Sequence, residues 1–310
     1  MEHQTTLKRK INLKGIGVHS GEAARCAMHP APANTGIVFV RSDLRGAPQI
    51  TADISKVVRT DLSTTLGQNG VVLATVEHLM AAFYGMGVDN AVVEVSGHEV
   101  PIMDGSAHEF VDAIEDTGIR TLNVPRKTMY LRKKISVRSA DKWIVAKPAE
   151  EFSITGSINF GHKMIGEQSF NFNWDHCFKK ELSRARTFGF LREVEYLHKK
   201  GLALGGSLEN AIVLDEERVL NAEGLRYKNE FVRHKILDAL GDFFLLGMRL
   251  VAEVEVHKGG HQLHTGFIRK ILEEPSNYEI VEQKQVVDVT SYQEDQESDE
   301  LAAAMLAHAY

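Results

Sequence analysis

Thr75-Val76-Glu77-His78-Leu79-Met80-Ala81-Ala82-Phe83-Tyr84-Gly85 is followed, after an Asp89-Asn90 turn, by Ala91-Val92-Val93-Glu94-Val95, and this pair of segments decides the fold. Thr75 can cap a helix, apolar residues dominate the run after it, and Gly85 or Gly87 closes it. The β-branched run over 91–95 reads as a strand. Upstream, Ile37-Val38-Phe39-Val40 and Val71-Val72-Leu73 are further short strands bounded by turn residues. Downstream, Pro101-Ile102-Met103-Asp104-Gly105-Ser106 is loop-like, and Ser106 is placed to cap a second helix running through Phe110, Val111 and Ile114 to Gly118.

The pattern breaks at Asn123-Val124-Pro125-Arg126 and restarts at Tyr130. Strands are expected over 134–137, 143–146, 152–158 and 251–257, and helices over 192–200 and 230–246. Strands feeding a helix pair in each half predict an α+β protein. Its two similar domains would each layer a β-sheet with a helix pair, the helical layers facing each other. The expected boundaries are 1–124, 125–283 and an acidic, then apolar, tail over 284–310. The tail reads as a terminal helix or extension; an exposed segment recognised by a protease is the other reading.

Hydrophobic residues at 43% and charged residues at 25% are an ordinary globular balance with ample core material. A net charge of -6 lacks the basic footprint of a nucleic-acid binder. Cys26 and Cys177 stand too far apart for a disulfide framework or a thiolate zinc cluster. No apolar stretch follows the basic Lys8-Arg9-Lys10, and Phe243 to Met248 is too short to span a bilayer, so a cytoplasmic protein without a transmembrane segment is expected.

Gly15-Ile16-Gly17-Val18-His19-Ser20-Gly21 resembles a dinucleotide fingerprint, but its third glycine falls one place late. Neither a serine-hydrolase elbow nor a P-loop occurs. Fourteen histidines draw attention to metal sites instead. Glu77 and His78 sit in an apolar helix, where a buried charge needs a partner or a metal; a wet helix face is the alternative. His234 and Asp238 are four apart, on one side of a helix, and Asp242 continues the stripe. By spacing alone, Glu230, His234, Asp238 and Asp242 are more readily a solvated face opposite Ile236, Ala239, Leu240 and Phe243. His257-Lys258-Gly259-Gly260-His261 reads as a loop after a strand, which could present a histidine to a ligand. One histidine from the first half with a histidine and an aspartate from the second makes a three-ligand set with an open position. A free carboxylate and a free histidine nearby would supply the base and acid of amide hydrolysis.

These blocks, together with Ser183-Arg184-Ala185-Arg186-Thr187-Phe188-Gly189-Phe190, Gly205-Gly206-Ser207 and the run from Phe231 to Asp242, resemble the UDP-3-O-acyl-N-acetylglucosamine deacetylases of lipid A biosynthesis. They follow the family's order from near residue 15 to near residue 270. Departures are confined to detail around Gly97-His98-Glu99-Val100 and around His261, where Gly259, Gln262 and His264 differ from common versions.

The resemblance implies one zinc ion held by His78, His234 and Asp238; the same donors would also take Fe(II). It implies Glu77 as general base toward a zinc-bound water and His261 as general acid. Asp242 would orient His261, and Thr187 would hold the oxyanion. Lys235 and Lys258 would meet polar groups of the substrate, Lys258 its diphosphate. Phe188 and Phe190 would lie by the sugar and the mouth of an acyl-chain passage, which Leu202, Ala203, Gly205 and Gly206 would extend. The implied reaction removes acetate from UDP-3-O-acyl-N-acetylglucosamine. A zinc peptidase, or a binding protein that keeps the fold without the chemistry, is the rival reading.

Overall fold

The computed structural model describes residues 3–282, so the expected tail lies outside the described residues. The chain is α+β, and one sheet topology occurs twice. In the first half the neighbouring strands are Ile11–Ile16, Ala23–Pro30, Ala91–Ser96, Ile37–Arg41 and Gln49–Thr51. In the second they are Ile135–Ser139, Lys142–Lys147, Glu253–His257, Ser153–Phe160 and Gly166–Asn173. In each sheet the last strand in sequence inserts at the centre, antiparallel to one neighbour and parallel to the other. Every described strand pairing stays on one side of the 125–126 junction.

Helices α1 (Glu77–Met86) and α2 (His108–Thr117) flank the first central strand in sequence. After the short α3 (Phe178–Glu181) and α4 (Leu191–Lys199), helices α5 (Glu230–Phe243) and α6 (His261–Leu272) flank the second. α2 packs on α1 and α6 on α5, while α5 lies on the strand Ser153–Phe160. The two helix pairs meet where α1 packs against α5. A Cβ at Gly241 would overlap the carbonyl oxygen of Glu77, so glycine is what lets α5 come this close to the first turn of α1. Both helices are buried nearly all round, and their apolar residues join one core with both sheets.

Local details depart from expectation. Thr75 does not cap α1: the position before the helix is Val76, and Thr75 adopts φ 59° with its hydroxyl donating to Glu99 at 2.9 Å. Buried Glu99 also accepts the backbone N–H groups of His19 and Ser20, so it organises the loop that resembled a dinucleotide fingerprint. Ser106 likewise stands one place before the cap position of α2, which is Ala107, though its hydroxyl accepts the His108 N–H at 3.1 Å. His261 is not a loop residue; Gly260 is extended and His261 opens α6. Among the described residues no helix is long and apolar enough to cross a membrane.

Candidate active site

Where α1 meets α5, the face that spacing read as solvated is buried. Glu230, His234, Asp238 and Asp242 are at most 2% exposed. Glu77 and His78 are likewise enclosed, at 3% and 4%. The sequence shows a polar stripe but not the second helical layer that covers it. Glu230 finds its partner in Arg186, whose Nε donates at 2.9 Å. The other three are drawn into a cluster with both ends of the chemistry represented.

His78, His234 and Asp238 bring one donor atom each within 4.8 Å of one another. His234 Nδ1 lies 3.0 Å from the Ala185 carbonyl, to which it must donate, since a carbonyl offers only lone pairs. Burial pushes the His234 imidazole down to about 3, against the raising influence of Asp238, so the ring is neutral and its Nε2 carries a lone pair. That Nε2 is 3.2 Å from Asp238 Oδ1, and His78 Nε2 is 3.5 Å from the same oxygen. Asp238 Oδ1 and His78 Nδ1 have no hydrogen-bond partner among the described residues. A lone pair facing a carboxylate oxygen is repulsive unless a cation lies between, so the donors fit a metal ion. Burial favours the neutral acid at Asp238, yet its charged surroundings, with the ammonium of Lys235 3.1 Å from Oδ2, hold it well below its ordinary value.

Asp242, His261 and His264 form a second group of comparable closeness. Here no cation is needed, because both rings donate from Nδ1 to Asp242 Oδ2 at 2.8 Å. Burial disfavours the charged His261 ring, but the carboxylates of Asp242 and Glu77 outweigh it and raise His261 to about 9. The cationic form is therefore the resting one at neutral pH. Glu77 Oε1 stands 3.8 Å from His261 Nε2, and Glu77 Oε2 accepts the Thr64 N–H at 3.0 Å. Burial pushes Glu77 up, with His261 and then His78 opposing. Its place in the first turn of α1 favours the anion through the helix dipole. The Glu77 carboxyl group and the His261 imidazolium thus face each other beside a metal-ready donor set.

The remaining expected residues spread outward. Phe188 lies edge-on to His234, ring centroids 6.4 Å apart, with the Lys235 ammonium 5.5 Å above its own ring. Phe190 sits beyond Phe160 and lines a cleft of about 450 Å³ with His162 and Arg192. Thr187 is tied by its backbone to Gly105 and Ile212; its hydroxyl makes no hydrogen bond among the described residues. Lys258 is ion-paired with Asp141 at 2.6 Å. Gly205 provides the close backbone approach expected of it, but toward the chain itself: a Cβ there would overlap the Gly17 carbonyl oxygen. Leu204 and Gly205 donate to the carbonyls of His19 and Val18. Two neighbours of Asp242 carry no signal in the sequence: Thr64 lies in an unremarkable polar run, and His264 lies beyond the 257–261 segment that reads as a loop.

The family model for UDP-3-O-acyl N-acetylglycosamine deacetylase (LpxC) matches residues 4–273. A protein named UDP-3-O-acyl-N-acetylglucosamine deacetylase from Myxococcus xanthus is 50% identical over 90% of this chain and 89% of its own length. Proteins of the same name from Oleidesulfovibrio alaskensis and Acidithiobacillus ferrooxidans are 49% and 48% identical, over 89% and 91% of this chain and 91% and 94% of their own lengths.

Proposed function

Because the chain belongs to the UDP-3-O-acyl-N-acetylglucosamine deacetylase family, we propose that it hydrolyses the acetamide of UDP-3-O-acyl-N-acetylglucosamine, releasing acetate in lipid A biosynthesis. The observation that carries the mechanism is the facing pair of Glu77 and His261 beside three converging donors. His78, His234 and Asp238 would hold a single zinc ion, and a zinc ion in such a site polarises a carbonyl and acidifies water.

Glu77 takes a proton from the attacking water as its oxygen bonds to the amide carbon. His261, already cationic, gives its Nε2 proton to the amide nitrogen as the C–N bond breaks. The His261 environment favours its needed starting state, an imidazolium against Asp242, while burial raises Glu77 and so strengthens it as a base, with its place at a helix N-terminus opposing that rise. Thr187 would donate to the developing oxyanion, a contribution of about 3 kcal/mol for such donors. The ammonium of Lys235, above the Phe188 ring, would meet polar atoms of the sugar, and Lys258 would exchange Asp141 for the diphosphate. The acyl chain would run along Phe188, Phe160 and Phe190, which pack on a separate apolar cluster containing Ile158, Ile212 and Phe231. The division at 124–125 into two domains belongs to this reading, supported by strand pairing that crosses it only at Pro125, which pairs with His3.

Acetate release from the sugar nucleotide is measured with the zinc-loaded wild type and Glu77→Ala, alongside metal content. The wild type turns over, and the variant keeps its metal while losing roughly a hundredfold or more in kcat. A wild type that binds zinc and releases no acetate refutes the substrate assignment, and an active Glu77→Ala refutes the base.

A further inference from the structure

Asp242 is fully buried, and each of its oxygens is engaged by something other than the reacting groups alone. Oδ1 accepts the hydroxyl of Thr64 at 2.5 Å, and Oδ2 is shared between the N–H groups of His261 and His264. We propose that Thr64 and His264 are positioning residues that clamp the Asp242 carboxylate, Thr64 also tying it to Glu77, so that base and acid hold one fixed register. This rests on the acid–base reading above.

The geometry is a closed ring. Thr64 donates by its main chain to Glu77 Oε2 and by its side chain to Asp242 Oδ1. Asp242 Oδ2 takes the Nδ1 proton of His261, whose Nε2 faces Glu77 Oε1. Thr64 lies in the first half of the chain, whereas Asp242 and His261 lie on α5 and α6 of the second. One residue therefore sets the distance between catalytic groups contributed by the two halves. A carboxylate bonded to His261 alone would be free to rotate; bonds to Thr64 and His264 on either side remove that freedom. His264 is completely buried, and burial keeps its ring toward the neutral form, in which Nδ1–H can donate while Nε2 cannot. Gly259 makes room for it, since a Cβ there would stand 2.6 Å from His264 Nε2. That explains a glycine directly before the Gly260-His261 helix start.

The test compares Thr64→Val with Thr64→Ser, and His264→Leu with His264→Asn, in the zinc-loaded full chain. It reads kcat, KM, metal content, thermal midpoint and the His261 ring-nitrogen chemical shifts. Loss of a hydrogen bond to a buried carboxylate predicts a fall in kcat of roughly ten- to a hundredfold for Thr64→Val, with KM and metal content held. Serine restores most of that loss, and asparagine, whose amide still donates, outperforms leucine at 264. The clamp is overturned if Thr64→Val keeps kcat within about twofold of wild type. It is equally overturned if serine and valine fall together in step with the thermal midpoint. If the wild type itself releases no acetate, the functional reading fails, and the chemical shifts then decide the clamp. A His261 signal moved by valine and restored by serine supports it; one that valine leaves unchanged overturns it.

Discussion

Replacing Gly241 by alanine sets two physical effects against each other. Glycine inside a helix is worse than alanine by about 1 kcal/mol, so propensity predicts stabilisation. The structure predicts the reverse. The new Cβ would overlap the Glu77 carbonyl oxygen and lie 2.9 Å from its carbon and 3.0 Å from the Ala81 nitrogen. All three are backbone atoms of α1, which cannot swing aside as a side-chain tip can. Overpacking costs about 1–3 kcal/mol, and against backbone at every one of these contacts the upper end applies, so the net effect is a loss of about 2 kcal/mol. Relief requires α1 and α5 to separate by on the order of 1 Å to restore ordinary contact. That motion pulls His78 on α1 away from His234 and Asp238 on α5, and metal sites tolerate only about 0.2 Å. Zinc affinity should fall roughly tenfold or more, the scale of lost support around a metal ligand. Urea unfolding of the metal-free protein and a competition titration for zinc read the two effects separately. A Gly241→Ala protein as stable as wild type, or more so, with the same zinc affinity would refute the account of how the helix layers meet.

Two further outcomes stem from the buried charges. His261 must be protonated to act as an acid, so activity is present below its pKa and lost as pH rises through it. Burial opposes the charged ring and Asp242 is the largest influence raising it, to about 9 without a cation, so the alkaline limb of kcat lies at or below that value. Asp242→Asn should move this limb to lower pH and reduce kcat; a limb that stays in place would remove Asp242 from the acid's environment. Arg186→Met leaves Glu230, itself 0% exposed, without its guanidinium, and breaking such a buried pair should lower unfolding free energy by about 3–5 kcal/mol. A loss under about 1 kcal/mol in denaturant unfolding would place that pair in the class of surface salt bridges.

The residues of the candidate site were legible to different depths. His234, Asp238 and Asp242 announce themselves by helical spacing, but spacing is equally that of a solvated stripe. What separates the two is burial by α1, a contact between segments more than 140 residues apart that no local pattern encodes. The repeated strand–helix plan was readable because alternating apolar residues such as Ala91, Val93 and Val95 mark a sheet face locally. The identity of the two sheet orders was not, because it depends on where the last strand inserts. Thr75 has the right side chain for a cap, yet its hydroxyl goes to Glu99, a partner supplied by tertiary folding. His264 was hidden because the Gly259-Gly260 pair suggests a loop, whereas that pair makes space for a buried ring and starts a helix.

Charge counting ties the donor set to the rest of the site. Three carboxylates, Glu77, Asp238 and Asp242, are buried within one cluster. The only buried cation set against them in the described contacts is the His261 imidazolium, because His234 is held neutral. With all three ionised, as the proposed mechanism requires, three negative charges and one positive leave an excess of two, in surroundings where an uncompensated charge costs several kcal/mol. Lys235 approaches Asp238 from the rim, but its side chain is 24% exposed and shared with solvent. A divalent cation between His78, His234 and Asp238 brings the buried sum to zero and relieves the lone-pair conflict at Asp238 Oδ1 in the same stroke. It also leaves Glu77 and His261 as a matched anion and cation, which is the protonation state that the proposed proton transfers start from. A monovalent ion would leave the cluster with one excess negative charge, so charge balance and the donor set together favour a divalent ion in the proposed site.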